Sequence, residues 1–309
     1  MRLALQTLAD ELRRLKAAGV KTVPVPDETL AALRQVVLAR REHIPAAQEP
    51  PSPEPAREPP TPVRASPAMP SAATPAAAPP PAAPKLPAPP TVVLPPGDKA
   101  TRWAALRDLV QQDATCCAHV RPGKKVVLGV GSLDAKIMFV GEAPGAEEEI
   151  QGEPFVGPAG QLLTKMIQGM GLKRENVYIG NIMNWRPEIP TPPGATQIGN
   201  RPPNEEEMRY CLPYLRAQIE IVDPGLLVAL GATAAQGLLG FGTFKALGEI
   251  RGKWREFAGR PLMVTYHPSY ILRNQSNRSK RIIWEDLLQV MERAELPITP
   301  KQRGYYLER

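Results

Sequence analysis

Two short polar runs carry the residue types that can do chemistry. Gly141-Glu-Ala-Pro-Gly-Ala-Glu-Glu-Glu-Ile-Gln151 is acidic and rich in turn residues, and Tyr266-His-Pro-Ser-Tyr270 holds a histidine. A carboxylate and an imidazole can together orient a water, move a proton and stabilise charge that develops as a bond breaks. Each run follows a short apolar stretch, Ile137–Val140 and Leu262–Thr265. An apolar run ending in a Gly/Pro turn reads as a strand that delivers polar residues to the carboxyl edge of a parallel sheet. That edge is where open α/β sheets bind ligands. The two loops therefore read as a site in two halves. Pro144-Gly145 adds a turn where backbone N–H groups can approach a ligand closely.

The elements that must position these loops follow from the spacing. Val177–Asn181 and Leu226–Leu230 are further strand candidates. Helices are expected near Trp103–Asp113, Gly160–Met170, Asn204–Ile221, Thr233–Leu239 and Lys280–Arg293. Alternating strands and helices predict a three-layer α/β/α domain with a four-stranded parallel sheet over residues 100–296. Ile250–Phe257 is expected to be a β-hairpin turning at Gly252. Residues 297–309 are expected to be a loose tail.

Before this domain the composition changes. Leu3, Leu5, Leu8, Leu12 and Leu15 recur at helical spacing, and Asp27 is placed to cap a second helix, so residues 1–42 read as a small helical element. It is too small to bury much core and reads either as a small helical module or as an element that binds a protein partner. Residues 43–99 read as a disordered Pro/Ala-rich linker, because Pro45 to Pro96 holds 20 of the 38 prolines and little to bury. The 309 residues carry a net charge of +7, which suits a polyanionic partner. No apolar run of about 18 residues occurs, and no signal-peptide core is seen at the N-terminus, so a cytoplasmic monomer with no membrane contact is expected.

Gly141-Glu-Ala-Pro-Gly145, Gly152-Glu-Pro-Phe-Val-Gly157, Asn181 and His267-Pro-Ser269 occur in an order that resembles the family 4 branch of the uracil-DNA glycosylase superfamily. The resemblance covers roughly Thr101 to Leu296. It implies an enzyme that flips uracil out of DNA and hydrolyses its N-glycosidic bond to leave an abasic site. By the same resemblance Phe155 stacks on the flipped base, His267 supports uracil O2, and Glu142 lies near the sugar and the attacking water. The backbone of Ala143, Pro144 and Gly145 would line the pocket, and Glu148 would crowd the C5 side. The Asn181 amide offers a donor and an acceptor that match O4 and N3–H and reject cytosine. Ser269, Tyr270, Leu272 and Arg273 resemble the loop that wedges into the duplex, with Arg278, Lys280 and Arg281 as phosphate contacts. Plainer readings stay open: Phe155 as a core side chain, Asn181 as a turn residue, and Glu147–Glu149 as a solvated helix start. A non-catalytic DNA-binding or adaptor protein on the same fold is the rival, which the joint presence of Glu142, Phe155, Asn181 and His267 disfavours.

The resembled family carries four cysteines for a 4Fe–4S cluster, whereas this chain has only Cys116, Cys117 and Cys211. Counted back from Val126-Val127, Cys117 falls on the second ligand position and Cys211 on the fourth; Ala114 and Trp185 stand at the first and third. Cluster ligation normally uses four thiolates, so no cofactor is expected, a 4Fe–4S cluster being the alternative. Trp185 is expected to fill the vacated volume. The segment Glu188 to Asn200 is longer than in the resembled family and contains no histidine. The covalent uracil linkage of one superfamily branch, which uses a histidine there, is therefore not carried over.

Overall fold

The computed structural model describes residues 86–192 and 195–307. The helical reading of 1–42 and the linker up to residue 85 lie outside the described residues.

Six strands form one sheet: β1 (Val130–Gly131), β2 (Ile137–Gly141), β3 (Tyr178–Asn181), β4 (Leu226–Leu230), β5 (Trp254–Phe257) and β6 (Arg260–Thr265). Their order is β1-β3-β2-β4-β6-β5. The four expected parallel strands are its centre, and the antiparallel edges β1 and β5 correct the four-stranded expectation. β1 escaped notice because two residues carry no periodicity. The expected hairpin is also shifted: it joins β5 to β6 and turns at Ala258 and Gly259, which both have positive φ (53° and 72°). Two successive positive φ values match the twist of the flanking strands. Gly252 sits in a separate turn before β5 with φ 66°, and a Cβ there would also lie 2.7 Å from Asp286 Oδ1.

The parallel strands are apolar on both faces, as a sheet covered on two sides requires. Met138 and Val140 of β2 enter one core cluster, Ile137 and Phe139 the other. The first cluster is covered by α1 (Lys99–Gln112), α2 (Ala114–Ala118), α5 (Glu205–Val222) and α6 (Ala232–Leu239). The second is covered by α4 (Pro158–Gly169) and α9 (Asn277–Arg293). Four short helices lie between: α3 (Ala146–Gln151), α7 (Leu247–Ile250), α8 (Ser269–Arg273) and α10 (Pro300–Arg303).

The domain's ends are better fixed than the composition suggests. Leu86, Val92 and Leu94, assigned to the linker, pack against the first cluster. The C-terminal segment is seated rather than loose: the Trp284 indole N–H donates to Gln302 O at 2.6 Å, and Gln302 Nε2 donates to Gly169 O at 2.9 Å. No helix among the described residues is long and apolar enough to cross a membrane.

Candidate active site

The parallel strands end in register. Gly141 pairs with Asn181 and Leu230 with Thr265, so the loops after β2, β3, β4 and β6 converge on one edge. The chain leaves β2 to one side for β3 and to the other for β4, which opens a crevice at this switch point. A cleft of about 560 Å³ lies there. It is lined by Glu142, Ala143, Gly145, Glu148, Phe155, Asn181, His267, Ser269, Tyr270 and Arg273, all expected from the sequence. Pro144 is buried behind it, and Leu272 stands outside it as an exposed apolar side chain on α8. Arg281, expected at phosphate, instead pairs with Glu285 and donates to Arg303 O and Tyr305 O, holding the C-terminal segment.

Gly141 explains how the cleft closes on a flat object. A Cβ there would lie 2.4 Å from both Asn181 Oδ1 and Phe155 Cζ, so only glycine lets amide and ring converge over the strand end. Phe155 is 6 % exposed and its ring lies 5.6 Å from that of His267, tilted by 31°. Its backbone has φ 55°, a left-handed conformation unusual for a side-chain-bearing residue. Asn181 is buried, and its Oδ1 has no hydrogen-bond partner. Buried polar groups are nearly always paired, so an open acceptor at a cleft wall is a group awaiting a ligand.

His267 follows β6 in the turn that starts α8. The Ser269 N–H donates to Nδ1 at 3.2 Å, and Ser269 Oγ lies 2.9 Å from the same nitrogen. An Nδ1 that accepts a backbone N–H leaves the ring proton on Nε2. Burial, and then the Arg273 guanidinium, lower the imidazole from 6.5 to about 4. It is therefore a neutral N–H donor at ordinary pH. Arg273 Nη1 in turn donates to Ser269 Oγ at 3.3 Å. Glu142 begins the opposite loop. Burial raises its carboxyl above the usual range, and a hydrogen bond from Thr233, at the start of α6, partly offsets this.

Glu148, at the cleft wall, also ties the site together. Its Oε1 accepts the N–H groups of Val156 and Gly157 at 3.0 and 2.9 Å, and its Oε2 that of Gly145 at 3.1 Å. Both oxygens are engaged in tying the Phe155 loop to the turn before α3.

Sequence reasoning missed Asn200, Arg201, Gly231 and Leu247 in the cleft wall, and gave Tyr266 no role of its own. Asn200 ends the long segment, whose return is fixed by buried Arg186: this side chain donates to Glu149 Oε1, Asn200 Oδ1 and Gly199 O at 2.9, 2.8 and 2.6 Å. The visible signal was Asn200-Arg-Pro-Pro directly before an Asn204/Glu207 capping box. Tyr266 stacks on Tyr270 at 4.4 Å and 15°.

The cysteines sit away from this edge. Cys116, not Cys117, is the buried thiol hydrogen-bonded to Cys211, and that bond together with burial raises it. Cys117 is exposed and its thiol donates to Gln111 O. The helical turn of α2 points adjacent residues in different directions, which the count along the sequence did not capture. Trp185 is 1 % exposed, stacks on His119 at 5.0 Å and tilts against Tyr210 at 6.0 Å. Two buried thiols beside a packed indole do not supply the four thiolates of an iron–sulfur cluster.

Comparison with known proteins agrees with the motifs. Residues 128–288 match the family model of the uracil DNA glycosylase superfamily. A type-4 uracil-DNA glycosylase of Thermotoga maritima is 42% identical over 179 residues, which cover 58% of this chain and 87% of the relative. One of Pyrobaculum aerophilum is 38% identical over 183 residues, covering 57% and 87%. A type-5 uracil-DNA glycosylase of Pyrobaculum aerophilum is more distant, 30% identical over 184 residues, covering 53% and 73%.

Proposed function

The chain belongs to the uracil DNA glycosylase superfamily and is a uracil-DNA glycosylase, and from that premise we propose how its cleft works. The observation that carries the reading is the open Oδ1 of Asn181, buried at a strand end beside the Phe155 ring and the His267 imidazole. A flipped uracil lies on Phe155, and its N3–H donates to Asn181 Oδ1 while O4 accepts from the amide nitrogen. Cytosine presents the reversed pattern and leaves this amide unmatched.

Water adds to C1′ of the sugar as the N1–C1′ bond breaks, and the bonding pair leaves with the base. The charge that collects on uracil O2 is met by the Nε2–H of neutral His267, a donor that is fixed before the reaction begins. Glu142, on the facing loop, orients the water, accepts its proton and stabilises the positive charge on the sugar. Ser269 sets the His267 tautomer. Tyr270, Leu272 and Arg273 face the duplex, with Leu272 as the apolar wedge and Arg273 at a phosphate.

No cluster takes part in this reading: Trp185, held between His119 and Tyr210, carries the structural load of the loop after β3. We place the enzyme in the cytoplasm as a monomer, with residues 1–42 as a partner-binding element.

Single-turnover excision and DNA binding on one uracil-containing oligonucleotide test the roles. His267→Ala and Glu142→Ala should each slow excision by roughly tenfold to a thousandfold, with binding little changed. Arg273→Ala should mainly weaken binding and reduce its salt dependence. A His267→Ala protein that excises normally but no longer binds would sink these assignments, and a non-catalytic DNA-binding protein would bind and excise nothing.

A further inference from the structure

We propose that Arg174, outside the cleft, is a positioning residue for base capture: with Glu148 it forms a brace that presets the Phe155 ring before uracil arrives. The proposal rests on the reading of the cleft above and extends it to a residue that touches no substrate.

Phe155 has φ 55°, and such a conformation persists only where its surroundings hold it. Its ring packs in the second core cluster, and the loop backbone sets the direction from which it enters. Arg174 opens a short 3₁₀ turn, Arg174–Asn176, after α4. Its Nη2 donates to Pro154 O at 2.7 Å, on the residue just before Phe155, and its Nη1 donates to Thr164 Oγ1 of α4 at 3.1 Å. A single planar guanidinium thus ties the loop to a core helix. On the other side Glu148 Oε1 accepts the N–H groups of Val156 and Gly157, the two residues just after it. Underneath, α4 abuts the loop so closely that a Cβ on Gly160 would lie 1.8 Å from Phe155 O. Phe155 is gripped before, after and below, while its ring stays at the cleft.

Removing Arg174 leaves the Pro154 carbonyl without its donor and lets the loop sample other conformations. Only the fraction with the ring in place captures the base, so apparent affinity for uracil falls by that fraction. Glu142 and His267 are untouched, so the pH dependence of the remaining activity should not move.

The test is a double-mutant cycle on the full chain. Single-turnover excision is measured for Arg174→Ala, Arg174→Lys and Phe155→Ala, and for each Arg174 variant combined with Phe155→Ala, with free uracil as a competitive inhibitor. Arg174→Ala should slow excision by about tenfold, weaken uracil inhibition by a similar factor, and add little in the Phe155→Ala background, because residues acting through one another are not additive. Arg174→Lys, which keeps a cationic donor but loses the planar fork, should recover part of the loss and serves as the folded variant if Arg174→Ala unfolds. Equal losses in both backgrounds with unchanged uracil inhibition would overturn the brace, as would wild-type rates in Arg174→Ala. A wild-type protein that excises no uracil would overturn the cleft reading and the brace with it, whereas active wild type with an insensitive Arg174→Ala overturns the brace alone.

Discussion

Lowering the pH should stop this enzyme through Glu142 before it touches His267. Burial and Arg273 hold the imidazole down from 6.5 to about 4, so charging it in the folded protein costs roughly 3 kcal/mol more than in water. The unfolded chain takes up that proton near pH 6.5 and the folded chain only near 4. The stability gained by keeping His267 neutral is therefore complete above about pH 6.5 and is lost as pH falls from 6.5 to 4. Glu142 runs the other way: burial raises its carboxyl, so ionising it opposes folding as pH rises through its folded value. Descending from neutrality, the site first neutralises Glu142, removing the charge proposed to orient the water, and only later charges His267. Second-order excision rates at sub-saturating DNA report the free enzyme. They should show an acid limb of one proton above the usual carboxylate range. Glu142→Gln should lower the plateau and abolish that limb, while His267→Ala should lower the plateau and leave it in place. A limb centred near 6.5 that vanishes in His267→Ala would refute the argument, because the resting imidazole would then be a cation.

Asn181→Asp replaces the amide donor proposed to face O4 by an acceptor inside a buried wall, and Phe155→Ala removes the proposed stacking surface. Each should cost roughly 1–3 kcal/mol in single-turnover uracil excision, and wild-type rates in both variants would show that the base binds elsewhere. Purified protein should contain no stoichiometric iron or sulfide, and Trp185→Ala should lose roughly 3–5 kcal/mol in denaturant unfolding, as for other buried tryptophans. Stoichiometric iron in anaerobically prepared protein would overturn the substitution of packing for a cluster.

The parallel core and its edge loops were legible because their signals are local. Ile137–Val140 and Leu226–Leu230 are unbroken apolar runs followed by glycine, and the polar residues after them sit where such strands must end. What stayed hidden depends on contacts far apart in the chain. Gly252 is a turn residue with φ 66°, as it looked, but that Asp286 of α9 also lies against it was not visible. The polar C-terminal segment looked loose, yet its carbonyls and amides pair with Trp284 and Gly169. The resemblance placed Glu148 at the base, and no local signal showed that its oxygens also find three backbone N–H groups, two of them on the far side of Gly152. Composition shows that a carboxylate is present and leaves open which donors surround it.

The loop after β3 ties these observations together. Asn181, Trp185 and Arg186 lie within six consecutive residues and do three different jobs. Asn181 faces the cleft, Trp185 packs between His119 and Tyr210, and Arg186 pairs with Glu149 of α3 and orients Asn200 at the cleft mouth. An amide proposed to read a base must be held within a fraction of an ångström; Asn181 ends β3 in register with Gly141, and the Ile182 N–H donates to Gly141 O. Beyond the strand, an aromatic stack on one side and a buried ion pair on the other add to that restraint.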